Sequence, residues 1–227
     1  MEISACVKYV GVNDHQVDLF EGQYKVPNGM SYNSYVILDE KIAVMDTVDG
    51  FFTEEWLNNV EQVLDGKMPD YLVIQHMEPD HSASIPAFLK KYPKATVVST
   101  AKGFQFMEQF FPEFFAGQGL PAEQRIVAAN DGVLELGQHS LHFVYAPMVH
   151  WPEVMVTYDE TAGTLFSADA FGTFGALNGA IFADEVDFEN EYMDEARRYY
   201  CNIVGKYGIQ VQAALKKLSA LSIRTIC

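Results

Sequence analysis

The sequence predicts an α/β chain folded as two sheets face to face between outer layers of helices, an αββα sandwich. Three observations carry that reading. Apolar, β-rich runs alternate with segments of helical spacing in the first half. Short strands separated by turn residues precede helices in the second. No linker, repeat or low-complexity tract divides the two β-then-α halves. At 227 residues, 49% of them hydrophobic, the chain has enough apolar surface for one substantial core.

The elements follow in chain order. Ser34 to Leu38 and Ile42 to Met45 flank the polar turn Asp39-Glu40-Lys41 and predict a hairpin. Trp56, Leu57, Val60, Val63 and Leu64 fall at helical spacing over 52–64, and Gly66 with Pro69 closes that helix. Tyr71 to Ile74 reads as a buried strand, followed by a polar loop, a helix around 84–91, a strand over 95–98 and a helix near 101–110. The second half is expected to open with strands near 125–129, 133–136 and 140–145, then 154–158 and 164–167, with Asn130-Asp131-Gly132 among the turns. Met193, Ala196, Tyr200 and Ile203 make one apolar helical stripe, Val211, Leu215 and Leu218 another, and Ser222 to Cys227 a last strand.

Thirty-one Asp and Glu against 15 Lys and Arg give a formal net charge of -16. That balance argues against nucleic acid or an anionic membrane surface as partner, since both are approached through clustered cations. No apolar run approaches the roughly 20 residues that span a bilayer, and the N-terminus lacks the basic-then-apolar plan of a signal peptide. A cytoplasmic protein is expected. Cys6, Cys201 and Cys227 form no Cys-X-X-Cys pair, so neither a disulfide framework nor a thiolate metal site is signalled.

The chemistry-bearing stretch is Gln75-His76-Met77-Glu78-Pro79-Asp80-His81-Ser82, with four potential ligands in six residues directly after a buried strand. Pro79 disfavours a continuous helix, which predicts a loop. Such a loop lets His76 and Glu78 serve one metal while Asp80 and His81 serve a second. A solvated loop with a helix N-cap accounts for Asp80 or Ser82 alone, but not for two histidines and two carboxylates together. His150, in Val149-His150-Trp151-Pro152, and Asp169, in the run 166–172, lie where strands of the second half end. Their weight comes from fitting the first cluster, because an Asp between two cations can give one oxygen to each. Imidazole with carboxylate suits iron, whereas thiolate or all-nitrogen sets favour zinc or copper. Trp151 and Phe171 can keep such a pocket dry or simply belong to the core. His15, His139 and His142 read as surface or strand residues.

These residues carry a resemblance. The run His76-X-Glu78-X-Asp80-His81, with His-Trp-Pro at 150–152 and Phe-Ser-Ala-Asp-Ala-Phe-Gly at 166–172, is similar to the metallo-β-lactamase-like domain of the flavodiiron proteins. Tyr32-Asn33-Ser34-Tyr35 and Ala196 to Tyr200 extend the likeness over nearly the whole chain. The resemblance implies a metallo-β-lactamase-like fold and two non-haem iron ions. His76, Glu78 and His150 would bind one iron, Asp80 and His81 the other, and Asp169 would bridge them. It implies reduction of dioxygen to water, of nitric oxide to nitrous oxide, or both, with electrons from FMN in a C-terminal flavodoxin-like domain and from a rubredoxin-type donor. It also implies a head-to-tail homodimer, the flavin of one subunit facing the irons of the other. The family completes its second iron site with a histidine after the last strand, and no histidine follows His150 here. The expectation is therefore a chain cut just before its last ligand and without the flavodoxin-like domain. Many members carry a histidine where this chain has Asn28, which cannot titrate near neutral pH and so bears on the choice between O2 and NO. The competing reading is a binuclear zinc-dependent hydrolase of the same superfamily. Such hydrolases usually carry His where Glu78 stands.

Overall fold

Alternation along the strands decides the layering. In the hairpin Tyr35–Ile37 and Ala43–Met45, Tyr35, Ile37, Ala43 and Met45 join one buried cluster while Val36 and Val44 join another. The same split separates Val73 from Leu72, Val98 from Val97, Phe143 from Val144, Met155 from Val156 and Phe166 from Leu165. A strand with both faces buried must do this, since successive side chains point to opposite sides. One cluster fills the space between the sheets, and the other lies under the helices. The computed structural model, which describes residues 1–115 and 120–227, is thus the αββα sandwich that the sequence predicts.

The first sheet has six strands in the order Val7–Tyr9, Tyr35–Ile37, Ala43–Met45, Tyr71–Val73, Thr96–Ser99 and Arg125–Val127, the last four running parallel. The second holds Val133–Glu135, Ser140–Tyr145, Met155–Asp159 and Thr164–Phe166 as an antiparallel meander, with Thr225–Ile226 added in parallel. Arg125–Val127, expected to open the second half, instead closes the first sheet against Thr96–Ser99. Thr53–Leu64 buries Trp56, Val60 and Leu64, one turn apart, and ends where Asp65 turns left-handed before Gly66. Thr100 caps Ala101–Phe110 by accepting from Gly103 N–H at 3.0 Å. Among the described residues no helix is long and apolar enough to cross a membrane.

The parallel strands place their C-terminal ends along one edge of the sandwich. Asp46 follows Met45 there, and Gln75 and His76 follow Val73 closely. The Met155 N–H donates to the Gln75 carbonyl at 3.2 Å and ties the second sheet to the same edge. Loops at this edge, with one short helical turn and one helical tyrosine, carry the residues of the site described next.

Candidate metal centre

The loop after Val73 is shorter than expected. Pro79–Ser82 forms a four-residue helix with Pro79 at its first position, where a missing N–H costs nothing and the fixed φ is already helical. That correction explains how the ligands separate. Glu78, still extended before the helix, turns toward His76, while Asp80 and His81 leave from the helical turn. Thr47 accepts no part in the chemistry but braces the turn, its N–H and hydroxyl both donating to the His81 carbonyl at 2.8 Å.

All six predicted residues come together. His76, Glu78, His150 and Asp169 each offer one ligand atom within 4.8 Å of the others, and Asp80, His81 and Asp169 do the same. Asp169 belongs to both sets. Its Oδ1 faces His81 Nε2 at 3.0 Å, and its Oδ2 faces His150 Nε2 at 3.0 Å and His76 Nε2 at 3.2 Å. Glu78 Oε2 lies 2.9 Å from His150 Nε2 and 3.3 Å from His76 Nε2. His81 Nε2 and Asp80 Oδ2 are 3.8 Å apart.

Two further carboxylates settle the imidazole tautomers. Glu153 Oε1 accepts from His76 Nδ1 at 2.7 Å and from the Met77 N–H at 2.9 Å. Asp46 Oδ2 accepts from His81 Nδ1 at 3.2 Å, and its other oxygen takes the Gln75 N–H at 2.7 Å. Carboxylates only accept, so Nδ1 carries the proton in both rings and the Nε2 lone pairs point into the clusters. Tyr199 donates its hydroxyl to Asp169 Oδ1 at 3.0 Å from the helix Met193–Tyr199. Sequence reasoning passed over Asp46, Glu153 and Tyr199. Their signals were an acid directly after a buried strand, an acid directly after His-Trp-Pro, and a tyrosine inside a run quoted only for its likeness. Backbone strain gathers here too, with positive φ at Asp46 (52°), Met148 (64°), Ala168 (48°) and Phe171 (68°).

Burial works to lower the His76 pKa, but the charge of Asp169 and the hydrogen bonds to Glu153 and Glu78 lift it well above its ordinary value. His81 is driven the same way by Asp80 and Asp169 against its burial, and His150 by Asp169 and Glu78 up to about 9. Burial would raise the Glu78 and Asp169 carboxyls, yet the surrounding imidazoles hold both below the usual carboxylate range. Asp80 goes the other way, its burial pushing it up to about 7. Glu21, in the exposed turn after Leu19–Phe20, is raised to about 8 by partial desolvation and by the neighbouring Glu78 carboxylate.

Lone pairs facing carboxylates repel unless a cation lies between them. Here a proton can be that cation, and a metal ion serves better. Asp169 Oδ2 is buried and makes no hydrogen bond despite two imidazole nitrogens within 3.2 Å, and Asp80 Oδ1 is likewise buried without a partner. Short approaches without hydrogen-bond geometry are expected where donor atoms aim at one shared point. The set is imidazole and carboxylate without thiolate, which fits first-row divalent ions. The two clusters sharing Asp169 can hold a pair of them.

The other histidines separate clearly. His142 meets Glu160 at 3.1 Å on the surface and His15 is exposed, as expected. His139 is not a surface residue: it is buried, with Nδ1 2.7 Å from the fully buried Asp159, in the turn leading into Ser140–Tyr145 and away from the metal edge. Asn28 is exposed, its carbonyl accepting from the Ala176 N–H at 2.8 Å.

Comparisons with known proteins place the chain in a family. Residues 30–227 match the family described as ODP family beta lactamase. The anaerobic nitric oxide reductase flavorubredoxin of Aliivibrio fischeri is 36% identical over 220 residues, 96% of this chain and 42% of that protein. The nitric oxide reductase of Moorella thermoacetica is 34% identical over 223 residues, 97% of this chain and 54% of that protein. This chain thus spans about half the length of such relatives. Among solved structures, the flavodiiron protein from Giardia intestinalis superposes with a TM-score of 0.91 at 32% identity, over 99% of this chain and 53% of that one. Rubredoxin oxygen:oxidoreductase from Desulfovibrio gigas gives 0.91 at 30% identity, over 100% and 55%. The chain therefore belongs to the ODP family of beta-lactamase domains and has the metallo-β-lactamase-like fold of the flavodiiron proteins.

Proposed function

We propose that the chain is the di-iron part of a reductase that converts dioxygen to water, nitric oxide to nitrous oxide, or both, with electrons delivered from FMN. The observation that carries the reading is Asp169, whose two oxygens serve two different imidazole clusters. His76, Glu78, His150 and Asp169 would hold one iron, and Asp80, His81 and Asp169 the other. Glu78 supports iron over zinc, since a hydrolase of this fold carries a third imidazole there and a carboxylate favours the harder ion. The names of the relatives point the same way, being nitric oxide and oxygen reductases.

Bound iron supplies one-electron steps and an open coordination position for a diatomic molecule. The chain's own residues do the rest. Glu153 and Asp46 fix His76 and His81 with Nε2 inward, so no reorientation is needed as charge changes at the centre. Tyr199 keeps a proton on its hydroxyl and aims it at Asp169 Oδ1, steadying the shared carboxylate. Trp151 packs edge-on against His76 and braces that ring. We place FMN in a flavodoxin-like domain, the electron donor in the rubredoxin class, and the working unit in a head-to-tail homodimer, as the family resemblance implies. The three free cysteines fit a reducing, cytoplasmic setting.

The test is iron loading of the chain under anaerobic conditions, followed by Mössbauer spectroscopy and by O2 and NO reduction with a flavodoxin-like domain supplied in trans. An exchange-coupled ferrous pair with reductase turnover is expected. Uncoupled iron, or ester hydrolysis that depends on zinc, would contradict the proposal.

A further inference from the structure

The two tryptophans sit in opposite circumstances. Trp56 is fully buried and donates its indole N–H to Ser34 Oγ at 3.0 Å. Trp151 is only partly buried, and among the described residues its N–H has no protein partner. Its ring stands at 88° to His76 with centroids 5.2 Å apart, and 6.2 Å from His150. Phe106 and Phe110 hold its other sides at 6.0 and 6.4 Å, and Phe110 is 45% exposed. An indole, readily oxidised, therefore touches two imidazoles of one cluster and opens toward water.

Resting on the di-iron reading, we propose that Trp151 is an electron relay that discharges the oxidised metal centre when reducing equivalents from flavin fail. Once peroxide has taken the iron pair above the ferric level, one electron would pass from the indole through the His76 or His150 contact to the pair, which would fall by one oxidation level. The indole radical cation releases its Nε1 proton to water and becomes a neutral radical. A thiolate in solution refills it, giving up one electron to become a thiyl radical while water returns the proton; otherwise the radical adds dioxygen, and the peroxyl group so formed takes one more electron and a proton to leave a hydroperoxide on Trp151. Phe106 and Phe110 are too hard to oxidise to take part, and they set the edge-on contact. Tyr199 is the rival donor. It is fully buried, and its proton has only the shared Asp169 to go to, whereas the Trp151 proton has solvent.

The test uses the 227-residue chain loaded with ferrous iron, mixed with hydrogen peroxide without flavin and freeze-quenched for EPR, beside Mössbauer spectra of the same samples. An organic radical is expected whose hyperfine pattern collapses on indole deuteration. It should fall at least tenfold in Trp151→Phe and persist in Trp56→Phe, and peptide mass spectrometry of the unsubstituted chain should find added oxygen at Trp151. Iron content of Trp151→Phe equal to that of the unsubstituted chain shows that the lost radical is not a lost site. A coupled iron pair with no indole radical, or with a radical that survives Trp151→Phe or belongs to a tyrosine, overturns the relay alone. A chain without a coupled pair overturns the di-iron reading and the relay with it.

Discussion

At the scale of single residues, the centre depends on who stands behind each ligand as much as on the ligand. His76 and His81 each have a buried carboxylate at Nδ1, whereas no such partner backs His150 among the described residues. Glu153→Gln and Asp46→Asn should each weaken metal binding by about 10 to 100-fold, because the amide supports the inward tautomer poorly. Competition titration with a chelator measures this, and unchanged affinity in both would show that the tautomer is fixed some other way. Asp169→Ala should cost the paired site altogether, leaving at most one metal per chain, while His142→Ala should leave metal content as it was. Two retained metals in Asp169→Ala would disprove the sharing. The six ligand candidates were legible because their types cluster in sequence or follow strands. Asp46, Glu153 and Tyr199 were not, since one buried acid or phenol looks like many others until distance shows which ring it touches.

At the scale of elements, most of the sandwich was readable from periodicity. The hairpin over 35–45, the helix over 53–64 and the strand Ser140–Tyr145 fall where apolar spacing puts them. Failures have local causes. Pro79 was read as a helix breaker when it starts a helix, because the same fixed φ serves both. Arg125–Val127 was assigned to the wrong half, since pairing partners lie outside any window of periodicity. The short N-terminal pairings, Val12–Asp14 with Met30–Tyr32 and Leu19–Phe20 with Tyr24–Lys25, gave too few residues to show a period. Scaffold and site should be separable. Phe88, fully buried in the helix Ile85–Lys91 and 5.8 Å from Trp56, should cost about 3 to 5 kcal/mol as Phe88→Ala. Denaturant unfolding of the metal-free chain reads this, and metal content of the folded variant should stay unchanged. A loss below about 1 kcal/mol would mean that the helical layer packs loosely.

At the scale of the molecule, the metal edge makes stability depend on pH. His150 has its pKa raised from 6.5 to about 9, so its contribution is complete below pH 6.5 and is lost as pH rises through about 9. Asp80, raised from 3.8 to about 7 by burial, acts in the same direction, favouring the fold while protonated and opposing it as pH climbs to 7. Glu78 and Asp169 are lowered, so their contributions exist above their ordinary values of 4.5 and 3.8 and are lost on acidification. The metal-free chain should therefore be most stable between about pH 5 and 6.5 and weaken toward pH 9. Metal, by replacing those protons, should shift the optimum upward and bind more tightly as pH rises. Thermal unfolding across pH with and without metal tests the sign, and a metal-free chain more stable at pH 9 than at pH 6 would contradict it.

The central claim is a pair of metals sharing Asp169, one held by four residues and the other by three among those described. Anaerobic iron titration of the chain followed by Mössbauer spectroscopy tests it most directly. The account predicts two successive binding steps, the first at least about tenfold tighter, with exchange coupling appearing only as the second site fills. A single step of uncoupled iron, or a second iron that leaves the spectrum of the first unchanged, would contradict it.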